Sequence, residues 1–419
     1  MKLYKHQQDI IDADPKKCGL FLGTGSGKTR IALMLARGRT LVICPKTQYE
    51  DKNWEREFYN GGISLGGEGT LTTISKETFR RDHATLGHFD TVIVDEAHTC
   101  LGVTPNTRQR NRVVIPRASQ LYEALESFLR RVEPERVYLC TATIMRSPMT
   151  VWGAAQVLRM EHVVGDFYGF RSRFYVKLPM PGREVWAPKS DTGAKSELAA
   201  IVRLVGYVGR LEDYFDVPPQ TFKTDWVELT AEQKKKVREL RMEYPDPIVR
   251  IGKTHQVENG VLVGNEFDDG KTFSNGKIER ILEYAAEFDR MVVFAKYRRQ
   301  IEEIERALIH NGYKVWIMTG DTKDRGAVLA EVNAASRCVF VVQSQISMGW
   351  ELPTYPVMVF ASRTYSLVDY DQGVGRILRA NALKKNLYIN LVVRGGVDEA
   401  VDKSLRNKQD FNERLYAGI

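Results

Sequence analysis

The chain has 419 residues, 43% of them hydrophobic and 27% charged, with a formal net charge of +8. That composition excludes a disordered or fibrous chain, and the length suits two or three domains, each able to bury its own core. The basic balance favours polyanionic partners. The opening MKLYKHQQDI has no apolar signal core, and no apolar run approaches the roughly 20 residues needed to cross a bilayer. A soluble, cytoplasmic protein without a membrane partner is expected. Cys18, Cys44, Cys100, Cys140 and Cys338 show no metal-ligand spacing and read as buried thiols.

In chain order, short apolar runs alternate with helical patterns, as in parallel sheets covered on both faces. Strands are predicted at Cys18–Leu22, Thr40–Cys44, Thr70–Ile74, Thr91–Val94 and Arg136–Cys140. The middle differs, with helices over Val151–Met160, Ser196–Tyr207 and Ala231–Met242, and prolines 179, 181, 218 and 219 marking loops. Thr104–Arg117 is rich in arginine and reads as a loop. Asn259-Gly260, set between β-formers in Thr254–Phe267, predicts a hairpin. A second strand series follows at Arg290–Ala295, Lys314–Met318, Cys338–Val342, Val357–Ala361 and Leu387–Val393. Two α/β domains result, divided near Gln220 into residues 1–220 and 221–419.

The first strand runs into Gly23-Thr24-Gly25-Ser26-Gly27-Lys28-Thr29, and a helix then begins at Arg30. This is a P-loop in strand–loop–helix context, although Leu22 stands where the strict pattern has its first glycine. Its backbone N–H groups can face phosphate oxygens, Lys28 can bridge the outer phosphates of ATP, and Thr29 can hold Mg2+. Asp95-Glu96-Ala97-His98 ends the strand TVIV, where an α/β sheet presents reactive groups. Asp95 suits the metal, and Glu96 suits orienting and deprotonating a water.

With these letters the chain resembles a superfamily-two helicase of the DEAH type. The resemblance makes Gln7 an adenine reader and assigns coupling to His98, Thr141, Ala142 and Thr143. It adds Gln372, Arg376 and Arg379 of QGVGRILR as the nucleotide-facing motif of the second domain. Always-charged, forked arginines suit a γ-phosphate. Finer text is similar to the Swi/Snf-like branch: CPK at Cys44–Lys46, NWEREF at Asn53–Phe58, FYGFRSRFY at Phe167–Tyr175, and MVVFAKYRRQIEEIERAL at Met291–Leu308. SMGWEL at Ser347–Leu352, with Gly349 and Glu351 toward the nucleotide, departs from the usual glycine-rich motif V, and VDEAV at Val397–Val401 resembles a trailing helix.

The family implies two tandem RecA-like domains with ATP in the cleft between them, and a motor that moves on DNA. Lys46, Ser75, Lys76, Lys296, Arg298, Ser344 and Arg363 fall in motifs that contact the strand. Arg108, Arg110, Arg112 and Arg117 of the arginine-rich segment are added as grips for a duplex or junction. Missing reader domains resemble compact phage or bacterial forms, which act on forks and branched junctions in replication, recombination and repair. A monomer is expected, with replication or recombination proteins as partners. Two alternatives stay open, an RNA helicase of the same fold and an ATP-gated scaffold without motor activity.

Overall fold

The apolar runs of the first half assemble into a six-stranded parallel sheet ordered Gly206–Gly209, Lys17–Leu22, Arg136–Cys140, Thr91–Asp95, Thr40–Cys44 and Leu71–Ser75. Its middle strands are almost completely buried, as a sheet covered on both faces requires. The computed structural model describes residues 3–110, 113–180, 183–217, 219–264, 270–346, 350–378 and 385–407. The chain divides into two units, Met1–Phe215 and Asp216–Ile419.

The second unit repeats the architecture with Gln220–Val227, Asn386–Val393, Val357–Phe360, Arg290–Ala295, Cys338–Gln343 and Val315–Met318, again all parallel. Val292, Val293, Val341 and Val359 are fully shielded within it. Each such side chain contributes about 1.5–3 kcal/mol by leaving water. The ten predicted strands all form, within a residue or two at their ends. All five cysteines are buried free thiols, and burial pushes Cys18 and Cys44 up to about 12. Among the described residues no helix is long and apolar enough to cross a membrane.

Three local expectations are corrected. Gly206–Gly209, placed partly in a helix, leaves Thr192–Val205 and pairs with Gly19–Leu22 as an edge strand. Gln220, near the expected domain division, opens a strand of eight residues that was not predicted and that pairs with Asn386–Val393. The proposed hairpin around Asn259-Gly260 is instead the end of the helix Pro247–Glu258. Asp246 caps that helix by accepting from the N–H groups of Ile248 and Val249, Pro247 opens it, and Gly260 leaves it with φ of 78°. Those signals start and stop a helix, and they outweigh the Asn-Gly pair.

The arginine-rich segment is no loop. Val103–Arg110 and Val113–Ala118 form an antiparallel hairpin, with a register shift between Val103 and Thr107. Tyr175–Met180 and Arg183–Pro188 form another. Both are two-stranded ribbons outside the main sheet, so Pro105, Pro116 and Pro179 sit in edge strands, where a missing donor is tolerated. Arg171 links them, donating to the Pro105 carbonyl at 3.0 Å while its guanidinium lies 4.3 Å from the Trp186 ring centre.

Candidate nucleotide and nucleic-acid sites

Three motif-bearing strands lie side by side in the first unit, with Arg136–Cys140 between Lys17–Leu22 and Thr91–Asp95. Because all are parallel, the glycine loop, Thr141–Thr143 and Asp95-Glu96 emerge at one edge. The loop is anchored by Gly23 N–H donating to the Gly209 carbonyl at 2.8 Å and by Ser26 Oγ donating to the Gly23 carbonyl at 2.7 Å. Gly25 and Gly27 take φ of 82° and 84°, conformations that disfavour a side chain. Leu22 is still extended, paired with Gly209, and buried in the core, so the position needs no glycine. Lys28 Nζ folds back onto the carbonyls of Leu22 (2.8 Å) and Gly23 (3.0 Å), and Arg30 is held by Glu57.

Gln7 packs against this loop. Its Nε2 donates to the Ser26 carbonyl at 3.1 Å, and its Oε1 accepts from Tyr4 N–H at 3.1 Å. A Cβ on Gly27 would stand 2.2 Å from that Nε2. His6 joins through a 2.9 Å contact of Nε2 with the Ser26 carbonyl, and its ring stacks 3.9 Å from that of Tyr214. The sequence reading missed both residues. His6 adjoins Gln7 and could have been suspected, whereas Tyr214 carries no local signal.

Asp95 is oriented by Trp54, whose Nε1 donates to Oδ2 at 3.1 Å, while Oδ1 accepts from Glu96 N–H at 2.9 Å. Burial and the neighbouring Glu96 charge raise the Asp95 pKa. Burial pushes Glu96 the same way, yet its bond to His98 and the charges of Lys28, His98 and Lys76 together hold it below its ordinary value. Glu96 is therefore held in its ionised form. It also takes φ of 43°, a left-handed conformation that a non-glycine residue keeps only under constraint.

The constraint is visible: Lys76 Nζ donates to the Glu96 carbonyl at 2.8 Å and to Thr99 Oγ1 at 2.6 Å. His98 is buried, and its Nδ1 lies 3.4 Å from Glu96 Oε2, 2.9 Å from Thr141 Oγ1 and 3.2 Å from Thr143 Oγ1. One imidazole thus touches the acidic motif and the TAT segment, with Ala142 between the two threonines. Among the described residues no group of three or more His, Cys, Asp or Glu could hold a metal ion. A P-loop metal needs less, a hydroxyl and a carboxylate with phosphate oxygens completing its shell. Thr29 and Asp95 fit, since the adjoining, partly exposed carboxylates of Asp95 and Glu96 favour a divalent cation.

The expected strand contacts divide by burial. Lys46 is exposed beside Glu50, and Arg298 is half exposed and paired with Asp321. The ammonium of Lys296 lies 3.6 Å from the centre of the Tyr365 ring. Lys76, Ser75, Ser344 and Arg363 are buried instead, each held by partners within the protein. Ser75 caps the helix Lys76–Asp82, Ser344 donates to the Ser362 carbonyl, and Arg363 is ion-paired with Asp402. Leaving these partners would strand buried charge or polar groups.

Arg108 is bound to Glu123, and Arg117 is exposed on the hairpin. Arg112 and the Arg110 side chain lie outside the described residues, as do Gly349 and Arg379. Glu351 is exposed. Gln372 is buried in the helix Leu367–Val374, and its carbonyl accepts from Arg376 Nε at 3.0 Å. Arg376 Nη1 donates to the Trp350 carbonyl at 2.9 Å.

Beneath the second-unit motifs lies a polar network that the sequence did not announce. Lys277 Nζ, fully buried, donates to Asn259 Oδ1 (2.6 Å), the Ala361 carbonyl (2.7 Å) and Asp398 Oδ2 (2.6 Å). His255 bridges Asp398 Oδ1 (3.2 Å) to the Tyr297 hydroxyl (2.8 Å). Burial pushes Asp398 up, but the Lys277 charge and the His255 bond hold it far below the usual carboxylate range. The network joins Tyr297, beside Lys296, to Ala361, two residues before Arg363.

Residues 276–381 match the helicase conserved C-terminal domain. The matched segment begins with the helix carrying Lys277 and runs past Gln372 and Arg376. Among curated relatives, the ATP-dependent RNA helicase DBP3 of Eremothecium gossypii is 25% identical over 162 residues, 36% of this chain and 30% of the relative. The putative ATP-dependent RNA helicase MJ1505 of Methanocaldococcus jannaschii is 27% identical over 139 residues, 31% of this chain and 18% of the relative. The chain thus spans less than a third of either relative's length.

Among solved structures, the Pyrococcus furiosus Hef helicase domain is similar across 96% of this chain and 98% of its own, with a TM-score of 0.51 at 15% identity. That likeness shows the fold, two tandem RecA-like domains. The Sulfolobus solfataricus SWI2/SNF2 ATPase core in complex with dsDNA aligns over 100% of this chain and 93% of its own, but at a TM-score of 0.40 and 18% identity it does not bear on the branch.

Proposed function

We propose that the chain is an ATP-dependent DNA helicase or translocase of superfamily two, coupling hydrolysis to movement on DNA and remodelling forks or branched junctions. One observation carries the reading. The buried His98 imidazole places one atom, Nδ1, within 3.4 Å of Glu96, Thr141 and Thr143 together, so the group that would activate water is gathered with a segment outside the nucleotide loop. A scaffold that only bound ATP would need no such link. In the reaction Lys28 and the loop N–H groups hold the outer phosphates, Thr29 and Asp95 hold Mg2+, and Glu96 takes the proton of the attacking water. Gln7 reads the base, and Gln372 and Arg376 serve the nucleotide from the helicase domain. The metal supplies charge neutralisation at the phosphates.

DNA is favoured by the text shared with the Swi/Snf-like branch, CPK at Cys44–Lys46 and NWEREF at Asn53–Phe58. RNA is the second reading, because the curated relatives are named RNA helicases. A panel of forks, four-way junctions, plain duplex, single strands and RNA, scored for ATPase stimulation and strand displacement, separates them. Forks or junctions are expected to stimulate most. Stimulation by RNA alone would overturn the DNA assignment.

The arginine hairpin is part of the same proposal. In Arg108→Ala/Arg117→Ala, duplex affinity is expected to fall and its salt dependence to flatten by about 0.9 in log–log slope for each phosphate no longer gripped. An unchanged slope would remove the hairpin from the interface.

A further inference from the structure

The second unit holds a cavity of about 700 Å³ at the ends of the neighbouring strands Gln220–Val227 and Asn386–Val393, with Arg241, Arg250 and Arg394 in its wall. The chain brings them together from three elements. Arg241 is in the last turn of Ala231–Glu243, Arg250 is in the first turns of Pro247–Glu258, and Arg394 is the first residue beyond its strand. The turn at Tyr244-Pro245-Asp246 joins the two helices, which is why their adjoining ends share one wall. Arg250 is held there by Nη1 donating to the Tyr244 carbonyl at 3.3 Å, and the Arg394 guanidinium lies 5.2 Å from the Trp226 ring centre.

These arginines differ from others in the fold. Arg30, Arg108, Arg136, Arg298 and Arg363 each have a carboxylate partner. Among the described residues none of the cavity's three forms an ion pair. The one acidic side chain in the wall among the described residues is Glu258, and it is turned to the start of the helix Val397–Arg406. Its Oε1 accepts from Val397 N–H at 2.9 Å and its Oε2 from Asp398 N–H at 2.8 Å. The helix start is thereby satisfied within the protein, and the three arginines line the hollow with no carboxylate committed to them.

Three like charges around one hollow repel each other, and a multiply charged anion relieves that repulsion. Guanidinium forks match phosphate oxygens in pairs. The volume lies within the range of about 300–1,000 Å³ usual for ligand pockets and exceeds a single phosphate. We propose that this cavity is a phosphate-binding site separate from the P-loop, in which Arg241, Arg250 and Arg394 hold successive phosphate groups of one ligand. The same chemistry is offered by a nucleic-acid backbone and by a free polyphosphate. Only the first source rests on the motor reading.

The test uses the full chain and the variant Arg241→Gln/Arg394→Gln, both side chains being exposed and replaceable without opening the core. Arg241→Lys/Arg394→Lys keeps the charge as a control. Tripolyphosphate is titrated by calorimetry, and duplex DNA and RNA binding is measured from 50 to 200 mM salt without nucleotide. Two tripolyphosphate sites in the wild type and one in the glutamine variant support a free polyphosphate. Equal titrations, with a log–log salt slope shallower by about 1.8 in the glutamine variant and restored by lysine, support a backbone held at two phosphates. Unchanged titrations and slopes overturn the proposal. A wild type that binds two tripolyphosphates but no nucleic acid would sink the motor reading and leave the cavity standing.

Discussion

Replacing Glu96 with glutamine is expected to lower ATP turnover by about 10²–10⁴-fold, the range general-base catalysis supplies, with the melting temperature almost unchanged. Glutamine keeps the shape and an acceptor for His98 but cannot take a proton. The carboxylate is the suited base because Lys28, Lys76 and His98 together keep it ionised against the cost of burial. Phosphate release at saturating ATP and saturating nucleic acid measures the loss. Nucleotide affinity should survive, since the loop and Lys28 are untouched. If Glu96→Gln turns over at the wild-type rate, the proton goes elsewhere and the role of the acidic motif has to be reassigned.

The second large effect is on stability. Lys277→Met is expected to destabilise the second unit by about 3–5 kcal/mol, because it leaves Asp398 as a buried charge without its cation. The lysine reaches Asn259, Ala361 and Asp398 at once, and the whole cluster is closed to solvent. A chain of two units does not unfold in one step, so hydrogen exchange resolved by peptide is the suitable measurement. Protection should fall across Arg290–Ala295 and Asn386–Val393 and stay level across Thr91–Asp95. Equal protection in both proteins would mean that the apolar packing around the network suffices.

How much of this was legible beforehand followed the range of the interactions involved. Ten of the twelve strands of the two sheets were readable because buried parallel strands are continuous apolar runs such as TVIV and CVFVV. The half-exposed edge strands Gly206–Gly209 and Gln220–Val227 lack that signal. Gln7, the glycine loop, Asp95-Glu96 and Thr141–Thr143 were readable as letters in order. That they share one sheet edge follows from the strand order and not from their spacing. The hairpin at Val103–Ala118 escaped because an arginine-rich run without an Asn-Gly turn resembles a solvated loop. The helix Pro247–Glu258 was lost to an Asn-Gly pair that turned out to end a helix.

Sequence by itself determined the class of fold, two parallel α/β sheets, and supplied the short motifs on which the proposed nucleotide site rests. Both are set locally, by hydrophobic period and by short motifs whose backbone needs admit few residue types. Tertiary structure alone decided which charges are available. Lys76, Arg363 and Lys277 look like any other basic residues in the text, yet each is buried on a carbonyl or carboxylate from a distant segment. Arg241, Arg250 and Arg394 look just as ordinary, and the fold gathers them around one hollow without an acidic partner. Charge availability depends on neighbours far along the chain, and no local pattern encodes them.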